Sequence, residues 1–192
     1  MAFEKDYAAR ADGNTEICVK YTNKASCVEY CIGRFKYWLR NDDQKIVALD
    51  VEYTWPRGPT QMAAVVQLCS SIYVLVYHIS VADEHSGLLA AFLLDKEYTF
   101  VGVDINNDEK NSSMLVWCSN KMKDAITEDD HHIWAEAPLP LKNIYYASMD
   151  AYATYDVYRR LVNFQKGFES QRQHLAKPSW QSKKSGRKNE ST

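Results

Sequence analysis

Three apolar runs stand close together in this chain: IVAL at 46–49, MAAVVQLC at 62–69 and IYVLVYHI at 72–79. Each is short and bounded by turn-forming residues, which predicts strands rather than helices. The strands span 45–54, 62–69 and 72–79. The loop WPRGPT, with two prolines and a glycine, ends the first of them. Two serines link the second to the third, too few residues for a crossover, so the pairing must be antiparallel. Nearly continuous apolar strands need cover on both faces.

The rest of the sequence supplies that cover. TEICVKYT at 15–22 alternates and reads as a further strand. Val28, Cys31, Ile32, Phe35 and Leu39 recur at helical spacing over 27–40, with Ser26 or Asn23 as the expected cap. A second helix over 83–95 would pack Leu88, Leu89, Phe92 and Leu93. YTFVGV at 98–103 and MLVWC at 114–118 read as additional strands. A long helix over 142–166 places Ile144, Ala147, Ala151, Tyr155, Tyr158 and Leu161 near one side. The expected fold class is α/β: a mixed sheet flanked by helices.

At 192 residues, 46% hydrophobic and 25% charged, the chain reads as one globular domain. No apolar run approaches the ~20 residues that cross a bilayer, so no membrane partner is expected. MAFEKDYAARADG lacks a secretory core, and the five cysteines are an odd number, which reads as reduced thiols in the cytoplasm or nucleus. Cys27 and Cys31 sit one helical turn apart without the second pair a zinc site needs. The net charge of −2 is uneven: residues 177–192 hold five basic residues against Glu190, leaving −6 on residues 1–176. The expected parse is an extension at 1–14, a domain at 15–168 and a disordered basic tail at 169–192.

Chemistry enters with the end of the first strand, KIVALDVEYTW. Asp50 and Glu52 are two residues apart, so on a strand they face the same way, while Val51 points opposite. Two like charges beside a buried run repel, and a divalent cation would relieve them; hard carboxylate oxygens suit Mg2+ or Mn2+. Asp108 follows the VGV strand. Asp150 lies in the last helix with Tyr146 four residues before it, on the same face.

Acid-x-acid after an apolar strand, a later aspartate and Tyr-x3-Asp in the last helix occur here in that order. The order resembles the DEDDy branch of the DnaQ-like 3'-5' exonucleases, and within it the plant Werner-syndrome-like exonuclease domains. The stretches that carry the resemblance are VALDVEYTW, AVVQLC, FVGVDINND and YYASMDAYATYDVYRRL, within residues 12–165. It implies a ribonuclease H-like (DnaQ-like exonuclease) fold and two metal ions held by Asp50, Glu52, Asp108 and Asp150. Tyr146 would orient the attacking water, and the product would be a 5'-mononucleotide. Asp104 stands where relatives often have glycine; Asp108 is the preferred ligand. The 42 residues from Asp108 to Asp150 are fewer than in such relatives, by roughly two helices. His131 and His132 fall in that interval, in an acidic loop.

The expected activity is metal-dependent removal of nucleotides from the 3' end of single-stranded RNA or DNA. The alternative is a catalytically weak DnaQ-like module that binds nucleic acid or protein. A ribonuclease H-like endonuclease would share the sheet and the metals, but Tyr146 speaks against it. Single-stranded nucleic acid is the expected partner, with a second copy of the chain and small-RNA machinery as further candidates. Arg57, Arg159 and Arg160 are the expected phosphate contacts; the last two stand about 14 Å beyond Asp150 at 1.5 Å per helical residue.

Overall fold

The computed structural model describes residues 1–11, 14–54, 61–102 and 132–175. It divides into two compact units, Met1–Tyr158 and Arg159–Thr192. Among the described residues the first unit holds strands β1 (Glu4–Arg10), β2 (Glu16–Thr22), β3 (Ile46–Tyr53), β4 (Ala63–Ser70), β5 (Tyr73–Tyr77) and β6 (Thr99–Val101). Helices α1 (Ala25–Leu39) and α2 (Gly87–Leu93) accompany them, with a 3-10 turn at Ile79–Val81. The last helix, α3, is continuous over Leu141–Leu175. It crosses the boundary between the units, and its part up to Tyr158 belongs to the first.

The strands form one sheet in the order β1-β2-β5-β4-β3-β6. The β3-β4-β5 meander is antiparallel, as the short links require. Ser71, in the β4–β5 turn, takes the left-handed conformation at φ 58°. β2 joins β5 in parallel, and β6 joins β3 in parallel, so the sheet is mixed. Gly102, just past β6, lies so close to β3 that a Cβ there would stand 3.0 Å from the Leu49 carbonyl oxygen.

Period-two alternation sends the strands' side chains into two cores. On one face Val47, Leu68, Leu75 and Tyr77 pack beneath Val28, Ile32, Phe35 and Leu39 of α1 and Leu89 and Phe92 of α2. On the other, Ile17, Val19, Tyr21, Ala48, Val65, Cys69, Val74 and Val76 meet Ile144, Ala147 and Ala151 of α3, with Trp134 and Leu139. The small residues Ala147 and Ala151 let the helix approach the sheet closely. Their spacing with Ile144 and Thr154 is the 3–4 repeat that holds one helix face down.

Several boundaries depart from expectation. Residues 4–10, assigned to an extension, form edge strand β1 paired with β2. The α1 cap is neither Ser26 nor Asn23. Lys24 is the N-cap, and the Asp83 carboxylate accepts the Ala25 N–H at 2.9 Å. Asn23 is buried instead as a tie, accepting from Phe3 N–H and donating to the Val81 carbonyl. α2 begins at Gly87 rather than near 83, because Ser86 caps it through the Leu89 N–H. α3 runs to Leu175, through residues expected in the tail, since the helix formers of QKGFESQRQ outweigh Gly167. Leu161, expected near the buried side, is exposed in the second unit. Phe164 and Phe168 stack edge to face there with centroids 4.5 Å apart. The 114–118 strand lies outside the described residues, as does Cys118; Cys18, Cys27, Cys31 and Cys69 are free thiols.

Candidate metal centre

β3 is a central strand, and its buried N-terminal half fixes which way its acidic half faces. Ala48 packs toward α3, so Asp50 and Glu52 share that face. Asp150 rises from the facing side of α3. Ligand atoms of Asp50, Glu52 and Asp150 all lie within 4.8 Å of one another, and all three side chains are half-buried.

Three acids that close and partly shut from water cannot all ionise readily. Burial, then the Asp50 charge and then Asp150 push the Glu52 carboxyl up to about 8. Burial and then Asp50 push Asp150 up to about 7, against a lowering hydrogen bond from Tyr146. The Tyr146 phenol is raised by burial and by the surrounding carboxylates, so it stays protonated and donates to Asp150. Its ring lies 6.2 Å from that of buried Trp134, which limits its swing.

The donor set fits a divalent cation on chemical grounds. It offers three oxygen ligands of one sign at contact range. A hard cation would relieve the repulsion that, after burial, raises both carboxyls. The structure therefore brings together four of the five predicted site residues: Asp50, Glu52, Tyr146 and Asp150. Asp108 lies outside the described residues, as do Asp104, Arg57 and His131. His132 is exposed. Arg159 is half-buried and Arg160 exposed, both in the second unit.

One buried polar group at this site had been given no role. Gln67 on β4 pairs in register with Asp50 and is fully buried. The signal was present: a lone carboxamide interrupts the apolar run AAVVQLC at the position opposite the first acid. A cavity of about 550 Å³, lined by Tyr30, Arg34, Trp38 and Tyr73 among others, lies on the α1 side of the sheet, away from the acids.

Neither a family model nor a curated protein sequence matches the chain. Solved structures do. The catalytic core of RRP6 from Trypanosoma brucei, mutant C496S, superposes with a TM-score of 0.56 at 11% identity, covering 86% of this chain and 52% of that one. Escherichia coli RNase D, an exoribonuclease involved in structured RNA processing, superposes at 0.54 with 13% identity, covering 77% and 45%. The Aedes aegypti Nibbler EXO domain gives 0.49 at 14% identity, covering 83% and 94%. The chain thus spans about half the length of the RRP6 core and of RNase D. Its fold is the ribonuclease H-like mixed sheet, flanked by helices, that it shares with the RRP6 core and RNase D. No helix among the described residues is long and apolar enough to cross a membrane.

Proposed function

We propose that the chain is a divalent-cation-dependent 3'-5' exonuclease that removes nucleotides from the 3' end of single-stranded RNA or DNA. One observation carries the reading: Asp50, Glu52 and Asp150 converge within 4.8 Å on the face where the Tyr146 phenol meets Asp150. An exonuclease fold around them supports it. Asp50, Glu52 and Asp150 would hold the cations, with Asp108 as the fourth ligand that the DEDDy resemblance assigns. Two Mg2+ or Mn2+ ions, when bound, supply Lewis-acid polarisation of the phosphodiester and neutralise its charge.

The chain's own residues do the rest. β3 holds Asp50 and Glu52 in register with Gln67 and Val65 of β4, and β6 pairs with the stretch just before them, so their spacing is set by backbone rather than by flexible side chains. Asp150 anchors the Tyr146 oxygen, and Trp134 backs the ring. A phenol held protonated is a donor and acceptor that can orient a water beside the scissile phosphate, and it does not serve as a base near neutral pH. Arg57, Arg159, Arg160 and the lysines of residues 177–192 are the proposed phosphate contacts that offset an acidic body. The free thiols suit a reducing compartment, cytoplasm or nucleus. A second copy of the chain and small-RNA machinery are the protein partners to test. RNase D's description as an exoribonuclease makes RNA the first substrate to try.

The test is 5'-labelled single-stranded RNA and DNA incubated with Mg2+, Mn2+ or EDTA. A ladder shortening from the 3' end, absent in EDTA, is expected. Binding without laddering in either metal would replace this reading with a nucleic-acid-binding module.

A further inference from the structure

Gln67 is fully buried between the sheet and α3, yet neither its Nε2 nor its Oε1 has a hydrogen-bond partner among the described residues. Buried carboxamides are almost always bonded, because leaving one unmet costs its whole desolvation penalty. A leucine or methionine would fill this position without that cost. The neighbours on its face explain why packing alone does not account for an amide. Val65 and Cys69 flank it on β4, and Val76 stands opposite on β5; none offers a strong side-chain partner. Across the other seam its register partner is Asp50. Directly opposed residues of antiparallel strands have Cβ atoms about 4.5–5.5 Å apart, a gap that the Cγ methylene and carboxamide of a glutamine can span.

The geometry points to Gln67 as a positioning residue of the metal centre: its carboxamide N–H donates to the Asp50 carboxylate when that carboxylate holds a cation. Metal-free, Asp50 sits among acids that resist ionisation, and the amide waits unpartnered. A carboxylate drawn to a cation by one oxygen leaves the other needing a donor, and groups supplying that donor hold ligands in orientation. The inference rests on the proposed metal-centre reading, and it adds a residue to which that reading assigned nothing.

The experiment uses the full chain and two volume-conserving variants, Gln67→Met and Gln67→Leu, with Asp150→Asn as a control. Thermal melting in EDTA and calorimetric titration with Mn2+ are the readouts. Both Gln67 variants should melt several degrees above wild type without metal, since two unmet polar atoms are gone. Both should bind Mn2+ about 10- to 100-fold more weakly, the usual loss when a group orienting a ligand is removed. A merely structural glutamine would move the melting temperature and leave the affinity alone. If Mn2+ binds the two variants as tightly as wild type while Asp150→Asn loses it, Gln67 is not a positioning residue, although the metal centre stands. If wild type itself takes up no Mn2+, the metal reading falls and this inference with it. Variants that melt below wild type would show that the amide is already satisfied in the metal-free protein, which also overturns the proposal.

Discussion

Replacing Asp50 with asparagine should make the metal-free protein more stable, and by an amount that grows with pH. Two unit charges within 4.8 Å of each other at an effective dielectric constant of about 20 repel by roughly 3 kcal/mol or more. At pH 7 Asp150, titrating at about 7, carries about half a charge, and Glu52, titrating at about 8, carries about a tenth. Asp50 then feels about 2 kcal/mol of repulsion, which the variant removes. For a domain of this size, that raises the melting temperature by about 4–8 °C. At pH 5 both neighbours are protonated and the gain should nearly vanish; at pH 9 both are ionised and it should be at its largest. Saturating Mn2+ should reverse the order, because wild type gains stability from the ion and the variant gains much less. Calorimetric scans in EDTA and in Mn2+ across pH 5–9 measure all of this. An Asp50→Asn protein that melts below wild type at pH 8 in EDTA, or whose gain ignores pH, would refute the idea that these acids strain each other.

Further expectations follow from the same geometry. The folded-state values of Glu52 and Asp150 lie above their ordinary 4.5 and 3.8, so the stability they contribute is complete below about pH 4 and lost as pH rises through 7 and 8. Metal-free wild type should therefore melt progressively lower from pH 5 to 9, and a melting temperature that rises over that span would contradict the shifts. Tyr146→Phe should cut turnover by about 10²-fold or more while leaving Mn2+ affinity within a few-fold, because the phenol orients rather than ligates; equal losses in both would make it a ligand-shell residue instead. Tyr21→Phe should destabilise by about 2 kcal/mol or more in urea titration, since the Tyr21 oxygen accepts from Leu139 N–H at 2.8 Å and is bonded to His78 Nδ1 at 2.9 Å, both buried. A change under about 0.5 kcal/mol would mean that water replaces it. Deleting residues 177–192 should weaken binding to single strands and lower the log–log salt slope by about 0.7 per lost phosphate contact; an unchanged slope would leave the segment without a role in binding.

The legible parts of this fold are those with short-range causes. The β3-β4-β5 meander follows from link length and apolar runs, and the face shared by Asp50 and Glu52 follows from strand alternation. The pairing of Tyr146 with Asp150 follows from helical spacing. Less legible were features decided by partners distant in sequence. Asp83 caps α1 from 58 residues away, so no local signature at Asn23 or Ser26 could reveal it. β1, alternating only weakly and charged at its start, is made a strand by the open edge of β2. Gln67 was visible as an oddity in an apolar run, but its meaning needs the strand register that sets it beside Asp50. The closeness of Asp150 to β3 is a tertiary fact, which motif order implied through resemblance and spacing alone could not.

The most direct test of the account is the initial rate of nucleotide release from one 3'-hydroxyl single strand, measured against Mn2+ concentration for wild type and Asp150→Asn. Wild type should release 5'-mononucleotides from the 3' end with a saturable dependence on the ion. Asp150→Asn, lacking one of the three converging carboxylates, should fall by at least about 10³-fold at every concentration. Release that persists in EDTA, or an Asp150→Asn protein as fast as wild type, would contradict the claim that these acids form a catalytic metal centre.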